Sequence, residues 1–405
     1  MLRYGFKGTV KNLTCDTNRS KFPVDWIDIL VTFFFIAYIS FVLLCTSIGN
    51  VIEIWYEKDY EKFSNTSYGR IVTSFSLCSS WNKLKTIKST PEVDYFRPLQ
   101  GLRFYNIIMV ILAHTSLISV ISSVSNTKFV ETMSASLGNI FISSGSLAVS
   151  TMFCLSSTLL SYKIFSHFEK RKLTLNDLAM IFVYRYLRLI PPLAVVLLFK
   201  ITWWRHIGSG PNWNRMVGQE YLYCRKNMWT DLLFLNNIID PENMKTMWKI
   251  LFYFFFLVPG LSIIIIPGWY IFVLKPEYDP FVASFITVIG RPIFILSIGF
   301  GIYGCLHGIG GISEHVLKWP PVYILGRLSY SVYLVHFTII MSRAAMARSP
   351  TYISEMQIAY HLLGDVAASF LVALLVTLFF EMPISAFKQY LLPELSKDTE
   401  EKKEQ

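Results

Sequence analysis

The sequence has few charged side chains. Asp, Glu, Lys and Arg make up 16% of its 405 residues, whereas 53% of the residues are hydrophobic. A soluble domain carries about 25% charged residues, because polar groups must cover a surface that faces water. The low charge excludes a secreted soluble enzyme, a DNA-binding domain and a disordered chain as descriptions of the whole. It favours an all-α fold, a polytopic bundle of transmembrane helices.

Paired cysteines and basic stripes are also missing. None of the six Cys residues belongs to a Cys-x-x-Cys pair, so we expect no zinc site and no metal or redox cofactor. The net charge is +10, but no basic stripe is interleaved with aromatic residues, so no nucleic-acid partner is expected. Residues 1–22 are polar and basic, so no cleavable signal peptide is expected before the first apolar stretch.

Eight apolar stretches are long enough to cross a membrane, which takes about 20 helical residues. They are Ile27–Ile52, Leu102–Val124, Ile140–Phe165, Met180–Phe199, Ile250–Leu274, Phe281–Cys305, Val322–Met341 and Ile358–Phe380. The fifth contains Pro259 and Pro267, so we expect it to be kinked or broken. The segment 200–249 is rich in Trp and is predicted to be an interfacial or folded loop on the outer side.

Basic residues alternate between the connecting loops. The loop after the first span and the loop after the third are rich in basic residues. The loop after the second span has a single basic residue, Lys128. The basic residues of the first and third loops include Lys83, Lys85, Lys88, Arg97, Lys163, Lys170, Arg171 and Lys172. By the positive-inside rule, the first and third loops are cytoplasmic and the N-terminus is outside. Asn12 and Asn18 lie in glycosylation sequons, which suits that side and predicts a glycoprotein of the plasma membrane or endoplasmic reticulum.

Titratable side chains inside the spans are candidate functional groups, since they are costly there. His114 lies 11 residues after Arg103, roughly 16 Å deeper along the same helix. A neutral imidazole at that depth can take up and release a proton near pH 7. The alternative is a histidine that only bonds a neighbouring helix.

Three arginines lie at the cytoplasmic ends of spans: Arg103, Arg185 and Arg188. Guanidinium groups pair with phosphate oxygens, so a converging cluster would bind a phosphate-bearing donor. Alternatively, each head reaches out to anionic lipid. His336 is a further substrate-binding candidate, although it could equally cap a helix or bind a serine hydroxyl. Glu381 is expected to pair with a basic group at the membrane interface.

Five motifs occur in order along most of the chain. They are Gly101–Arg103 followed by His114, Arg185–Pro191, Trp229–Asn237, Leu325–His336 and Phe380–Pro383. In order and spacing they resemble the membrane acyltransferase 3 family, and most closely its animal branch, the nose-resistant-to-fluoxetine-like proteins. The resemblance implies an integral membrane transferase that moves an acyl group from a cytosolic thioester, typically acyl-CoA, to a hydroxyl of a lipid or sugar.

The resemblance also implies roles for residues and segments. His114 matches the family's intramembrane histidine, the general base on the acceptor, and Arg103, Arg185 and Arg188 match arginines near the donor. We expect an extracytoplasmic tail (1–26), a first anchor (27–54), a cytoplasmic loop (55–101), an acyltransferase-3-like membrane domain (102–385) and a charged tail (386–405). The expected partners are membrane lipids, the acyl donor, and a lipid or small-molecule acceptor.

The sequence departs from the family pattern in two places. Ser150, Met152 and Ser157 stand where the third span usually has other residues, including an Asp that could orient a histidine. The motifs that usually follow Asn237 are absent before Lys275. These departures keep a second function open, a catalytically inactive relative that transports or binds lipids or small molecules.

Overall fold

A computed structural model describes residues 22–55, 62–87, 90–133, 145–168, 174–233, 294–295, 297–307 and 311–391. This part of the chain is helical and contains no β-strand, only an isolated bridge between Val124 and Thr351. The predicted all-α fold is confirmed. The sequons at Asn12 and Asn18 and the charged end of the chain lie outside the described residues.

Fifteen helices are named here in chain order. They are α1 (Trp26–Trp55), α2 (Ser67–Phe75), α3 (Leu77–Lys85), α4 (Pro91–Ile121), α5 (Thr127–Met133), α6 (Gly145–Phe168), α7 (Leu175–Ile201), α8 (Trp204–Ile207), α9 (Trp213–Leu232), α10 (Ser297–Leu306), α11 (Gly311–Lys318), α12 (Pro320–Arg327), α13 (Ser329–Ala345), α14 (Glu355–Val376) and α15 (Met382–Leu391). A π-helical segment, Thr377–Glu381, joins α14 to α15.

Several of these helices can cross a membrane. Five are long and apolar enough, within α1, α4, α6, α7 and the continuous run from α14 to α15, and α12 with α13 makes a sixth if this pair, bent by 68°, is one span. The chain is therefore a multi-pass membrane protein. Of the eight predicted spans, Ile250–Leu274 lies outside the described residues, and Phe281–Cys305 is described only in part. The number eight stays a prediction.

Helix α4 is the centre of the bundle and packs against α6, α11, α12, α13 and α14. Two glycines allow this close approach. A Cβ atom on Gly101 would lie 2.2 Å from the carbonyl oxygen of Leu317, and one on Gly326 would lie 2.1 Å from that of Gln100. Neither gap can hold a methyl group, which gives a physical reason for the glycines in the Gly101–Arg103 and Leu325–His336 motifs.

The first helix is joined to the end of α14 through a backbone carbonyl. Pro383 has no N–H, so the carbonyl of Phe379 lacks its usual partner four residues later. The Tyr38 hydroxyl donates a hydrogen bond to that carbonyl at 2.9 Å, and its ring stacks on Phe380 at 4.9 Å. A buried carbonyl that proline leaves unpaired is thereby satisfied by α1.

The bundle has two distinguishable ends. At the N-terminal end, Arg205 of α8 bonds Asp28 of α1 at 2.6 Å, and Asn212 bonds Ser123 after α4 at 3.2 Å. At the opposite end, here called the basic end, Arg327 donates to the carbonyls of Lys83 and Leu84 at 2.9 and 3.0 Å. The segments predicted to be extracytoplasmic thus share one end, and the first basic loop lies at the other.

The structure corrects the prediction for the segment after α7. The indole of Trp213, at the start of α9, donates to the Arg205 carbonyl at 2.9 Å, whereas Tyr186, near the middle of α7, donates to the carbonyl of Leu232, at the end of α9, at 3.2 Å. Helix α9 therefore runs back along α7 and is not a loop confined to the outer side. Its buried residues Trp213, Val217 and Cys224 recur at helical spacing among polar neighbours, which explains why hydropathy missed it.

Candidate active site

Two histidines from different helices meet in the middle of the bundle. Nε2 of His336 on α13 lies 3.2 Å from Nδ1 of His114 on α4, although 222 residues separate them in sequence. His336 is only 2% exposed, whereas His114 is half-buried. The ring of Phe337 meets His114 edge-on at 5.5 Å. The prediction of a polar interior around His114 and His336 therefore has a direct structural basis.

The hydrogen bonds of this pair assign its protons. Nδ1 of His336 lies 3.1 Å from the carbonyl oxygen of Val332, and Nδ1 of His114 lies 3.0 Å from that of Val110. A carbonyl only accepts, so in the neutral pair each Nδ1 carries the hydrogen. Nε2 of His336 then accepts from the shared Nδ1–H of His114. This assignment leaves the lone pair of His114 on Nε2, the nitrogen of a general base.

The predicted arginines lie at the basic end, away from the histidines. Arg103 is partly buried on α4 and bonds Gln100 at 3.4 Å, within electrostatic range of the like charge of Arg188 on α7. Arg185 lies three residues before Arg188, and both are exposed. Arg103 and Arg188 lie within electrostatic range of each other, with Arg185 about one helical turn from Arg188, and Arg103 is roughly 16 Å along α4 from His114.

Glu381 does not have the basic partner that the sequence suggested. Its carboxylate accepts from the hydroxyl of Ser331 at 2.7 Å and from that of Thr377 at 3.3 Å. The π-helical turn places Thr377 and Glu381 side by side, and such turns are frequent at functional sites. Two hydroxyls on facing helices replace the expected ion pair, within electrostatic range of Tyr330 at the start of α13.

A buried ion pair beside His114 was not predicted. Arg343 of α13 binds both carboxylate oxygens of Asp365 on α14, at 2.8 and 2.9 Å. Thr115, the residue after His114, donates to the same carboxylate at 2.8 Å. The signal was present in the sequence, because Asp365 is a charged residue in an otherwise apolar stretch. The network fixes α4, α13 and α14 next to the histidine pair.

Comparison with known proteins gives one distant relative. The chain is 27% identical over 196 residues to nose resistant to fluoxetine protein 6 of Caenorhabditis elegans. The match covers 45% of this chain and 23% of the worm protein, so the chain spans about a quarter of that relative's length. The similarity confirms the resemblance to the nose-resistant-to-fluoxetine-like branch. No family model matches the chain, and no solved structure does.

Proposed function

We propose that this protein is a membrane acyltransferase that moves an acyl group from a cytosolic acyl thioester, acyl-CoA, to a hydroxyl of a lipid or sugar. The observation that carries the proposal is the contact between His114 and His336 in the middle of the bundle. The half-buried imidazole of His114, whose Nδ1 is already oriented by its hydrogen bonds, is arranged to accept a proton at Nε2. The distant similarity to the worm protein supports the same class of membrane protein.

His114 acts as the base in this reaction. Its Nε2 takes the proton of the acceptor hydroxyl while the oxygen attacks the thioester carbonyl carbon. The new C–O ester bond forms, the C–S bond breaks, and the departing thiolate takes the proton back from the imidazolium. His336 holds the Nδ1–H of His114 in place, so the ring presents the same nitrogen in every turnover.

The arginines of the basic end receive the donor. Arg103 lies within electrostatic range of Arg188, neither forms an ion pair within the described part of the chain, and a phosphate group would relieve the repulsion of their charges. Arg185 adds a third positive charge. The roughly 16 Å from Arg103 to His114 requires a donor whose phosphates lie far from its reacting thioester, and acyl-CoA has this elongated shape.

The test is acyl transfer from labelled acyl-CoA in membranes that carry wild type or His114→Ala. Loss of a general base is expected to lower acceptor labelling by about 100-fold or more. The matched control is His307→Ala, because His307 is exposed, directly follows α10 and stacks on Tyr303 of that helix at 4.0 Å. Equal labelling by wild type and His114→Ala would contradict the assigned role.

The second candidate function is transport or binding of a lipid or small molecule by an inactive relative. The observation that favours it is the 68° bend between α12 and α13, since broken helices form the substrate sites of many transporters. Substrate flux that needs no acyl donor and survives His114→Ala would distinguish this function from the transferase.

A further inference from the structure

A small cavity lies at the N-terminal end of the bundle, where α4 and α13 end and α14 begins. Its volume is about 100 Å³, and its polar lining consists of Ser119, Ser122, Arg343, Thr351 and His361. A water molecule takes about 30 Å³ in the liquid, so the space suits a few hydroxyl-bearing carbon atoms. The basic end, where the donor is proposed to bind, is on the other side of the histidine pair.

The two serines of the cavity present acceptor lone pairs. Ser119 donates its hydroxyl hydrogen to the carbonyl of Thr115 at 2.7 Å, and Ser122 donates to the carbonyl of Ser119 at 2.8 Å. Each hydroxyl has one hydrogen, which these bonds use, so each oxygen can still accept. A ligand that donates hydrogen bonds would be recognised on this wall.

Two other lining residues, His361 and Arg343, present donors. Nε2 of His361 lies 3.0 Å from the side-chain amide nitrogen of Gln357, so Nε2 accepts and Nδ1 carries the hydrogen. That Nδ1 is buried and has no hydrogen-bond partner within the described part of the chain. Arg343 uses Nε and Nη2 on Asp365, which leaves the hydrogens of Nη1.

The charges of the cavity cancel. The one cationic side chain of the lining, Arg343, is neutralised by the bidentate contact with Asp365. An anionic ligand would be repelled by the Asp365 carboxylate that Arg343 holds, whereas a neutral ligand would not. The ligand that fits these walls carries no charge and both donates and accepts hydrogen bonds. Neighbouring hydroxyl groups have these properties.

The walls of the cavity are fixed before any ligand enters. Asn126 holds the backbone of Ile353 with two hydrogen bonds, at 2.6 and 2.8 Å. The backbone of Thr351 bonds Ser123 and Ser125 at 2.8 and 3.0 Å. These bonds join the segment after α4 to the segment before α14, so binding would cost little ordering of the protein.

The cavity is close to the proposed base. Ser119 comes five residues after His114, about 7.5 Å further along α4. We propose that this cavity binds the non-reacting hydroxyls of the acceptor, a neutral polyol that is either a soluble sugar or the glycerol headgroup of a lipid. The proposal rests on the proposed acyl transfer, and it assigns the acceptor to the N-terminal end and the donor to the basic end.

The experiment measures protection of an introduced thiol in the full-length protein. Ser122→Cys is reconstituted in phosphatidylcholine vesicles and labelled with a membrane-impermeant maleimide, and labelling of the unsubstituted chain is subtracted. One arm adds methyl glucoside to the buffer, and the other adds dioleoylglycerol to the vesicles. The matched control is Ser125→Cys, because Ser125 is exposed, lies three residues away and does not line the cavity.

Bound polyol is expected to slow labelling of Ser122→Cys about tenfold at ten times its Kd and to leave Ser125→Cys unchanged. Protection by methyl glucoside identifies a sugar acceptor, and protection by dioleoylglycerol identifies a lipid acceptor. His361→Leu is expected to abolish the protection, and protection that survives this change would overturn the role of His361. Absence of protection in both arms, or equal slowing of Ser125→Cys, would overturn the site.

The outcome is separable from that of the acyl-transfer experiment. If His114→Ala abolishes acyl transfer while Ser122→Cys is never protected, the acceptor site is wrong and the transferase stands. If Ser122→Cys is protected but the wild type transfers no acyl group, the cavity is a polyol site of a protein that is not a transferase.

Discussion

The arginines at the two ends of the bundle have different partners. At the N-terminal end, Arg205 contacts Asp28 at 2.6 Å, Arg225 contacts Asp25 at 2.6 Å and Arg343 contacts Asp365 at 2.8 Å. The candidate donor arginines of the basic end lack such a partner within the described part of the chain: Arg103 bonds the neutral amide of Gln100, and Arg185 and Arg188 have neither a hydrogen bond nor an ion pair.

This difference separates structural arginines from candidate binding arginines. A buried guanidinium that faces a carboxylate is already neutralised, and removal of either partner leaves an uncompensated charge. An arginine without an anionic partner breaks no ion pair when it binds a phosphate. Three consequences of the comparison can be measured, and they are given from the largest expected effect to the smallest.

The largest effect is expected for Asp28→Ala. Asp28 is 0% exposed and Arg205 is 6% exposed, so the substitution removes the carboxylate at 2.6 Å and leaves the buried guanidinium with only the more distant Asp25, at 3.9 Å, among the described carboxylates. Removing one partner of a buried pair costs about 3–5 kcal/mol of the free energy of unfolding. Thermal stability in detergent, followed by fluorescence-detected size exclusion, measures the loss.

The control for Asp28→Ala is Asp94→Ala. The Asp94 side chain is 46% exposed and lies 3.8 Å from Arg97, so its removal should cost less than about 1 kcal/mol. If both variants were destabilised equally, burial would not be what distinguishes the paired arginines.

A smaller effect, on binding, is expected for Arg103→Gln and Arg188→Gln. No carboxylate loses its partner, so thermal stability should stay at the wild-type level. Each substitution should raise the KM for acyl-CoA about tenfold or more, because hydrogen bonds to a charged group contribute about 1.5–3 kcal/mol. Arg225→Gln, at the other end, should lower stability and leave the KM for the donor unchanged. The opposite pattern would remove the distinction between the two ends.

The smallest effect is expected from the pH dependence of Asp25. Burial alone would raise the pKa of its carboxyl, but hydrogen bonds from Arg225 and from the backbone N–H of Asp28, together with the charge of Arg205, hold the pKa below its ordinary value of 3.8. A carboxyl whose pKa is lower in the folded state stabilises the fold above its unfolded pKa, and this contribution is lost as the pH falls through the folded pKa.

The measurement compares wild type with Asp25→Asn between pH 7 and pH 3. The wild type is expected to be the more stable protein near neutral pH, and the difference should shrink below about pH 4 as Asp25 takes up a proton. A difference that stays constant or grows on acidification would show that the ion pair with Arg225 does not stabilise the N-terminal end.

Local patterns in the sequence predicted much of the helical framework. Apolar stretches of spanning length predicted α1, α4, α6, α7 and α14. A spanning helix satisfies its backbone hydrogen bonds within its own segment, so its sequence alone is enough to predict it. Helix α9 escaped this test because its polar residues Arg215, Arg225 and Lys226 lower its hydropathy while one face packs against α7 and α13. The 68° bend between α12 and α13 and the close approach of Gly326 to the Gln100 carbonyl are features that hydropathy does not report.

The sequence identified individual residues of the site but not the contacts between them. His114 and His336 were identified because each is titratable within an apolar stretch. Their contact joins positions 222 residues apart, and no local pattern encodes such a distance. The same holds for Arg343 and Asp365, whose pairing depends on how α13 and α14 pack. The expected ion pair of Glu381 was wrong because two hydroxyls, Ser331 and Thr377, lie closer to its carboxylate than any described basic group.

The course of α9 has a consequence for biosynthesis. This helix has 20 residues and lies along α7, yet its mean composition is too polar for a translocon to release it into lipid by itself. Its buried face includes Glu220 and Asn227 and packs partly against α13, which the ribosome makes about 100 residues later. During synthesis the part of this face that packs against α13 therefore stays uncovered until α13 arrives, so the packing of α9 is completed only after the later helix is made.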